Sequence, residues 1–189
     1  MALAVLLGGA RSGKSALAVR AGAAYDGPVC LIATAAAGDE EMAARIARHR
    51  AERPATWQTV EEPLELEVAL GRAGEDALVI VDCLTLWVAN QLAAGAGERQ
   101  IAEHAARAAA RAAGRAAPVI AVSNEVGMGI VPADPLTRRF RDVHGRVNAA
   151  WVQHAAQASL VVAGALLALA PADPGRLCDP CAPPAGEAR

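Results

Sequence analysis

Lysine is almost missing from this sequence. The 189 residues carry a single lysine, Lys14, against seventeen arginines. The arginine bias and the abundance of alanine read as coding habit, which makes the one exception informative. The shortage excludes a guanine-reading N-K-x-D box of the switch-GTPase kind, because no second lysine exists to build it.

A basic excess is lacking too. The formal net charge is −2, so neither nucleic acid nor an anionic membrane surface is expected as the main partner. No run reaches the roughly 18 apolar residues of a membrane span. The apolar start has no basic flank, so no secretory signal is expected and a cytoplasmic protein is. Cys30 and Cys83 read as small buried hydrophobes. Cys178 and Cys181 form a lone CxxC without two further ligands nearby, which reads as two incidental thiols rather than a zinc site. With 54% hydrophobic and 20% charged residues, disorder is excluded over most of the length. One catalytic domain over 1–170 and a loose Pro/Gly-rich tail over 171–189 are expected. No internal repeat is present.

What the chain has is alternation. Apolar strand-like runs at 2–7, 29–34, 77–82, 118–124 and 159–164, with a weaker one at 56–60, are separated by helical patterns. Helices are expected over 14–24, 39–51, 64–71, 84–94, 98–113 and 134–158, the last with proline at its start. The Ala- and Arg-rich stretch 98–113 reads as a solvated helix or a subunit contact. Such alternation implies an α/β, three-layer fold: a mainly parallel sheet flanked by helices.

The first strand runs into Gly8, Gly9, Ala10, Arg11, Ser12, Gly13, Lys14 and Ser15. These residues match the phosphate-binding P-loop pattern GxxxxGK[ST] in full, so the fold is expected to be of the P-loop NTPase type. Glycines let backbone N–H groups turn inward around a polyphosphate, and the following helix aims its positive end at the same anion. Lys14 would place an ammonium on the β- and γ-phosphates, and Ser15 would offer its hydroxyl to Mg2+. Asp82 ends a buried strand. Alone it reads as a turn or cap residue; beside a P-loop it reads as a carboxylate for the metal.

Of the four histidines, His104 and His154 lie in Ala-rich helices and read as surface or packing residues. His144 sits in "FRDVHGRVN", where spacing gives it no role. His49 follows Ile46 and Met42 on one helical face. Pattern alone favours a packing histidine; the alternative is an imidazole that attacks an α-phosphate.

The segments "GGARSGKS", "IATA", "DEEMAARIARHRAERPATWQTVEEP", "DCLTLWVAN" and "SNEVGMGIVPADPLTRRFRDVHGRVN" occur in this order. Over roughly residues 3–164 the chain resembles the bifunctional adenosylcobinamide kinase / adenosylcobinamide-phosphate guanylyltransferase family of cobalamin biosynthesis. The resemblance implies phosphorylation of adenosylcobinamide by ATP or GTP. It then implies transfer of GMP from GTP, through a histidine–GMP intermediate, to adenosylcobinamide phosphate. It implies that His49 is the guanylylated residue. Nucleotide contacts would fall on Gly8 to Ser15, on Thr34, Ala35 and Ala36, on Glu52, Arg53, Pro54 and Ala55, and on Glu61 and Asp82. It also implies a homotrimer with sites between subunits. Ala149 and Ala156 stand where family members commonly carry Gln and Asp.

Overall fold

The computed structural model describes residues 3–36, 40, 44, 50 and 54–170. Its elements run β1 (Leu3–Gly8), α1 (Lys14–Ala23), β2 (Val29–Ala33), β3 (Gln58–Glu61), α2 (Leu66–Arg72), β4 (Leu78–Asp82), α3 (Leu84–Ala93), α4 (Glu98–Ala113), β5 (Val119–Val122), α5 (Pro135–His154), β6 (Gln157–Val162) and β7 (Ala165–Leu169). Glu40, Ala44 and Arg50 are helical. The rest of the helix expected over 39–51 lies outside the described residues, as do the tail 171–189 and Cys178 and Cys181.

The strands form one seven-stranded sheet in the order β3-β2-β4-β5-β1-β6-β7. Every neighbouring pair is parallel except β6–β7, which is antiparallel. The fold is therefore α/β, with a mainly parallel sheet between helical layers. Successive strand residues enter opposite layers, which is why the strands read as unbroken apolar runs. Leu6, Leu31, Ile80 and Val122 pack on the layer containing Ala18 of α1. Val5, Ile32, Val79, Val81 and Ala121 pack on the other, with Trp87 of α3 and Trp151 of α5.

Four expectations change. Helix α4 is not solvated all round: Ile101, Ala105, Ala108, Ala109 and Ala112 are buried, and it packs on α2 and α5. Small alanines let these helices approach closely. Helix α5 stops at His154 rather than 158, because Ala155 is extended and Gln157 already pairs with Ala4. Sheet pairing there overrides the helical preference of an alanine-rich segment. The strand expected at 56–60 is shifted to Gln58–Glu61, because Trp57 is drawn into a turn by its N–H bond to the Pro54 carbonyl. The strand expected at 159–164 is the first arm of a hairpin, whose second arm β7 had no expectation. Its two-residue turn, Ala163 and Gly164, has φ of 50° and 82°. Alanine is an unusual residue for that geometry, so the turn carried little sequence signal.

Candidate nucleotide site

The phosphate loop leaves β1 at Gly8 and enters α1 at Lys14. Its backbone bends at Gly8 (φ 148°), Arg11 (φ 57°) and Gly13 (φ 100°). Glycine is required at position 8: a Cβ there would lie 2.3 Å from the Val161 carbonyl oxygen. The β6–β7 turn supports the loop from outside, the Gly164 N–H donating to the Ser12 carbonyl at 2.8 Å.

Lys14 folds back over this loop. Its Nζ donates to the carbonyls of Gly8 at 2.8 Å and Gly9 at 2.7 Å, and to Ser12 Oγ at 3.3 Å. Burial lowers its pKa from the ordinary lysine value, and the Asp82 charge opposes that shift. Beside it, Ser15 Oγ donates to Asp82 Oδ1 at 3.3 Å.

Sheet register sets the surroundings. Across the carboxyl edge, Glu61 pairs with Ala33, Ala33 with Asp82, Asp82 with Val122 and Val122 with Leu6. Thr34, fully buried, bolts two of these strand ends together. Its hydroxyl donates to the Cys83 carbonyl at 2.7 Å and accepts the Cys83 N–H at 2.9 Å. Its own carbonyl accepts from Asn90 Nδ2 at 2.7 Å. The Thr34 hydroxyl is thus committed to holding Asp82 in place, and Ala35 and Ala36 continue from it along the edge. Burial and the neighbouring Asp82 charge push the Cys83 thiol up to about 11, which keeps it protonated at neutral pH.

The structure brings Gly8 to Ser15, Thr34, Glu61 and Asp82 to one edge. Glu61 pairs there with Arg50. Pro54 and Ala55 stand apart, ahead of β3 at the opposite edge, where Pro54 lines a groove with Tyr25, Pro28 and Trp57. His49, Glu52 and Arg53 lie outside the described residues.

A second polar cluster carried no role in the sequence reading. His144 is fully buried, with Ser123, Asn148 and Thr85 at 0%, 4% and 9% exposure. His144 Nε2 lies 3.1 Å from Ser123 Oγ and 3.2 Å from Thr85 Oγ1. Ser123 Oγ spends its proton on Asn148 Oδ1 at 2.6 Å, so the imidazole must donate from Nε2. Nδ1 is left as a buried lone pair without a partner among the described residues. Asn148 Nδ2 donates to the Asn124 carbonyl at 3.0 Å, and the Asn124 N–H donates to Thr85 Oγ1 at 2.8 Å. The motifs "SNEVG" and "GRVN" were visible in the sequence. That they meet across a sheet and a helix was not.

Residues 4–169 match the family described as cobinamide kinase / cobinamide phosphate guanyltransferase. The chain belongs to that family. Relatives agree over most of their lengths. The bifunctional adenosylcobalamin biosynthesis protein CobP of Pseudomonas aeruginosa is 44% identical over 161 residues, 85% of this chain and 92% of that protein. The protein of the same description, CobU, from Salmonella typhimurium is 40% identical over 175 residues, 85% and 95% of the two chains. Its Escherichia coli counterpart is 39% identical over 173 residues, with the same coverage. A solved structure from Pyrococcus horikoshii OT3 shares the fold alone, with a TM-score of 0.52 at 6% identity over 88% of this chain and 85% of that one. Family membership makes the chain an enzyme, a bifunctional kinase and guanylyltransferase.

Proposed function

We propose that this chain phosphorylates the aminopropanol hydroxyl of adenosylcobinamide with ATP or GTP, then guanylylates the product with GTP to give adenosylcobinamide-GDP. The observation that carries the reading is the Lys14 loop with Ser15 and Asp82 at its mouth, in a chain matched to this family over 4–169. Gly8 to Ser15 hold the polyphosphate through backbone N–H groups and the α1 N-terminus, and Lys14 exchanges loop carbonyls for phosphate oxygens. In the first reaction the alcohol oxygen bonds to the γ-phosphorus and the bond to the β–γ bridging oxygen breaks. In the second, His49 attacks the α-phosphorus of GTP and pyrophosphate leaves. A phosphate oxygen of adenosylcobinamide phosphate then displaces the histidine. Two displacements replace one difficult transfer.

Ser15 Oγ and Asp82 Oδ1 are hard oxygen donors set side by side, a pairing that suits Mg2+, which keeps most of its sites for water and phosphate. Bound there, the ion would neutralise phosphate charge. Among the described residues no cluster of three His, Cys, Asp or Glu side chains could enclose a metal by itself.

The reading includes a homotrimer in the cytoplasm. Pro54 and Ala55 lie at the edge opposite the phosphate loop, so a site that used these two would draw them from a neighbouring copy. Among the described residues no helix is long and apolar enough to cross a membrane. The test is covalent. GTP labelled at the α-phosphate should mark the protein in an acid-labile, base-stable bond, and His49→Ala should abolish the mark while nucleotide still binds. A mark that survives the substitution removes His49 from the role. Failure of the wild-type enzyme to phosphorylate adenosylcobinamide removes the substrate assignment.

A further inference from the structure

The segment "SNEVG" begins where β5 ends, and β5 lies between β1, which carries the phosphate loop, and β4, which carries Asp82. Val122 is in register with Leu6 on one side and Asp82 on the other. Three residues on, the Glu125 N–H donates to the Gly8 carbonyl at 3.0 Å. Glu125 therefore stands beside the first residue of the phosphate loop, just past the end of the strand that lies between β1 and β4.

Its position is fixed at unusual expense. The Ser123 N–H donates to the Leu6 carbonyl at 2.9 Å. Ser123, His144, Asn148 and Thr85 together clamp both sides of Asn124 from α5 and α3. Buried polar groups are costly unless satisfied, yet this cluster offers His144 Nδ1 no partner among the described residues. A packing role alone would be met by apolar side chains. What the cluster holds still is the corner that presents Glu125.

The half-buried Glu125 carboxylate is committed through one oxygen alone among the described residues. Other described carboxylates at this edge have partners: Asp82 accepts from Ser15, Glu61 pairs with Arg50, and Glu62 caps the N–H groups of Leu64 and Glu65. Among the described residues Glu125 accepts only the N–H of Gly127, at 2.6 Å. One oxygen of the carboxylate anchors its own loop, leaving the other able to meet a hydroxyl.

We propose that Glu125 is the catalytic carboxylate of the kinase reaction, receiving the proton of the acceptor alcohol as its oxygen bonds to the γ-phosphorus. The bond from that phosphorus to the bridging oxygen breaks and the nucleoside diphosphate leaves. The proton ends on Glu125. The inference rests on the kinase reading above but is silent on His49, and the two halves of the enzyme separate them. Guanylylation of the protein by GTP consumes no alcohol and needs no such base.

The experiment is Glu125→Gln, which keeps the size of the side chain and an oxygen for the Gly127 N–H. Phosphorylation of adenosylcobinamide should fall about 100-fold in kcat, the usual weight of a positioned base, with the nucleotide KM unchanged. Labelling by GTP carrying α-phosphate label should keep its wild-type rate. Glu125→Asp should recover part of the kinase rate. A kinase rate equal to wild type overturns the proposal. Equal losses in phosphorylation and labelling also overturn it, since they would make Glu125 part of the nucleotide grip. If wild-type enzyme shows no kinase turnover, the functional reading fails and this proposal falls with it; with turnover present, the ratio of variant to wild type judges Glu125 alone.

Discussion

Ser15 and Asp82 lie 67 residues apart in sequence, and the serine hydroxyl donates to the aspartate at 3.3 Å. The contact joins the first turn of α1 to the end of β4 across β5, and it gathers two oxygen donors next to the Lys14 ammonium. Asp82→Asn keeps the shape and halves the chemistry, since an amide can accept from Ser15 but brings no charge. Phosphoryl transfer should fall by about 100-fold or more, the typical loss when a preorganised electrostatic group is removed. Steady-state kinetics against Mg2+ concentration check this. Unchanged kcat with unchanged Mg2+ dependence would remove Asp82 from the metal role.

Lys14 answers why one lysine persists in a chain otherwise written in arginine. Its ammonium is shared among the Gly8 carbonyl, the Gly9 carbonyl and Ser12 Oγ, three acceptors reached from one compact point. A planar guanidinium donates as a fork and cannot converge in this way. Lys14→Arg should therefore cost about as much turnover as Lys14→Ala, roughly 100-fold, while thermal denaturation reports a folded protein in both. Near-wild-type activity in the arginine variant would show that charge alone suffices.

The shape of the Gly8–Ser15 loop was legible because it is local. Eight adjacent residues set the loop, and the strand before and helix after it follow from periodicities of a few residues. Asp82 was legible because a buried apolar run ends in a charge. The clamp around Asn124 was not, because it joins Thr85, Ser123, His144 and Asn148 from three elements, and no spacing within one segment encodes that meeting. Its parts were in view as "SNEVG" and "GRVN", and only the fold shows that they face each other. Strand β7 was hidden for another reason: its turn uses alanine at a positive φ, and "ALLAL" on an edge has neither alternation nor length to declare a strand.

Gly8 and Gly9 adjoin in the motif but differ in what they require. A Cβ at Gly8 meets the Val161 carbonyl oxygen at 2.3 Å and the backbone has φ 148°. At Gly9 nothing lies within 4 Å. Gly8→Ala should destabilise the protein by about 2–4 kcal/mol, combining steric overpacking with backbone strain. Gly9→Ala should leave stability within about 0.5 kcal/mol. Urea unfolding of the two variants measures both, and equal losses would contradict the assignment of the close contact to Gly8.

His144 gives the fold an acid-sensitive point with a definite sign. Burial lowers its pKa to about 4, the Glu125 charge opposing that shift; an unfolded histidine titrates near 6.5. Because the folded value is the lower one, the unfolded chain takes up the proton first as pH falls. Stability is complete above about 6.5 and drains as pH drops toward 4, with about 2 kcal/mol lost by pH 5. Other groups titrate in the same range, so the useful quantity is a difference between proteins. His144→Gln retains a donor for Ser123 and Thr85 but cannot titrate. It should lose about 2 kcal/mol less than wild type between pH 7 and pH 5 in matched urea melts. Parallel losses would mean that His144 is protonated in place or reached by water, and that the clamp on Asn124 does not depend on a neutral imidazole.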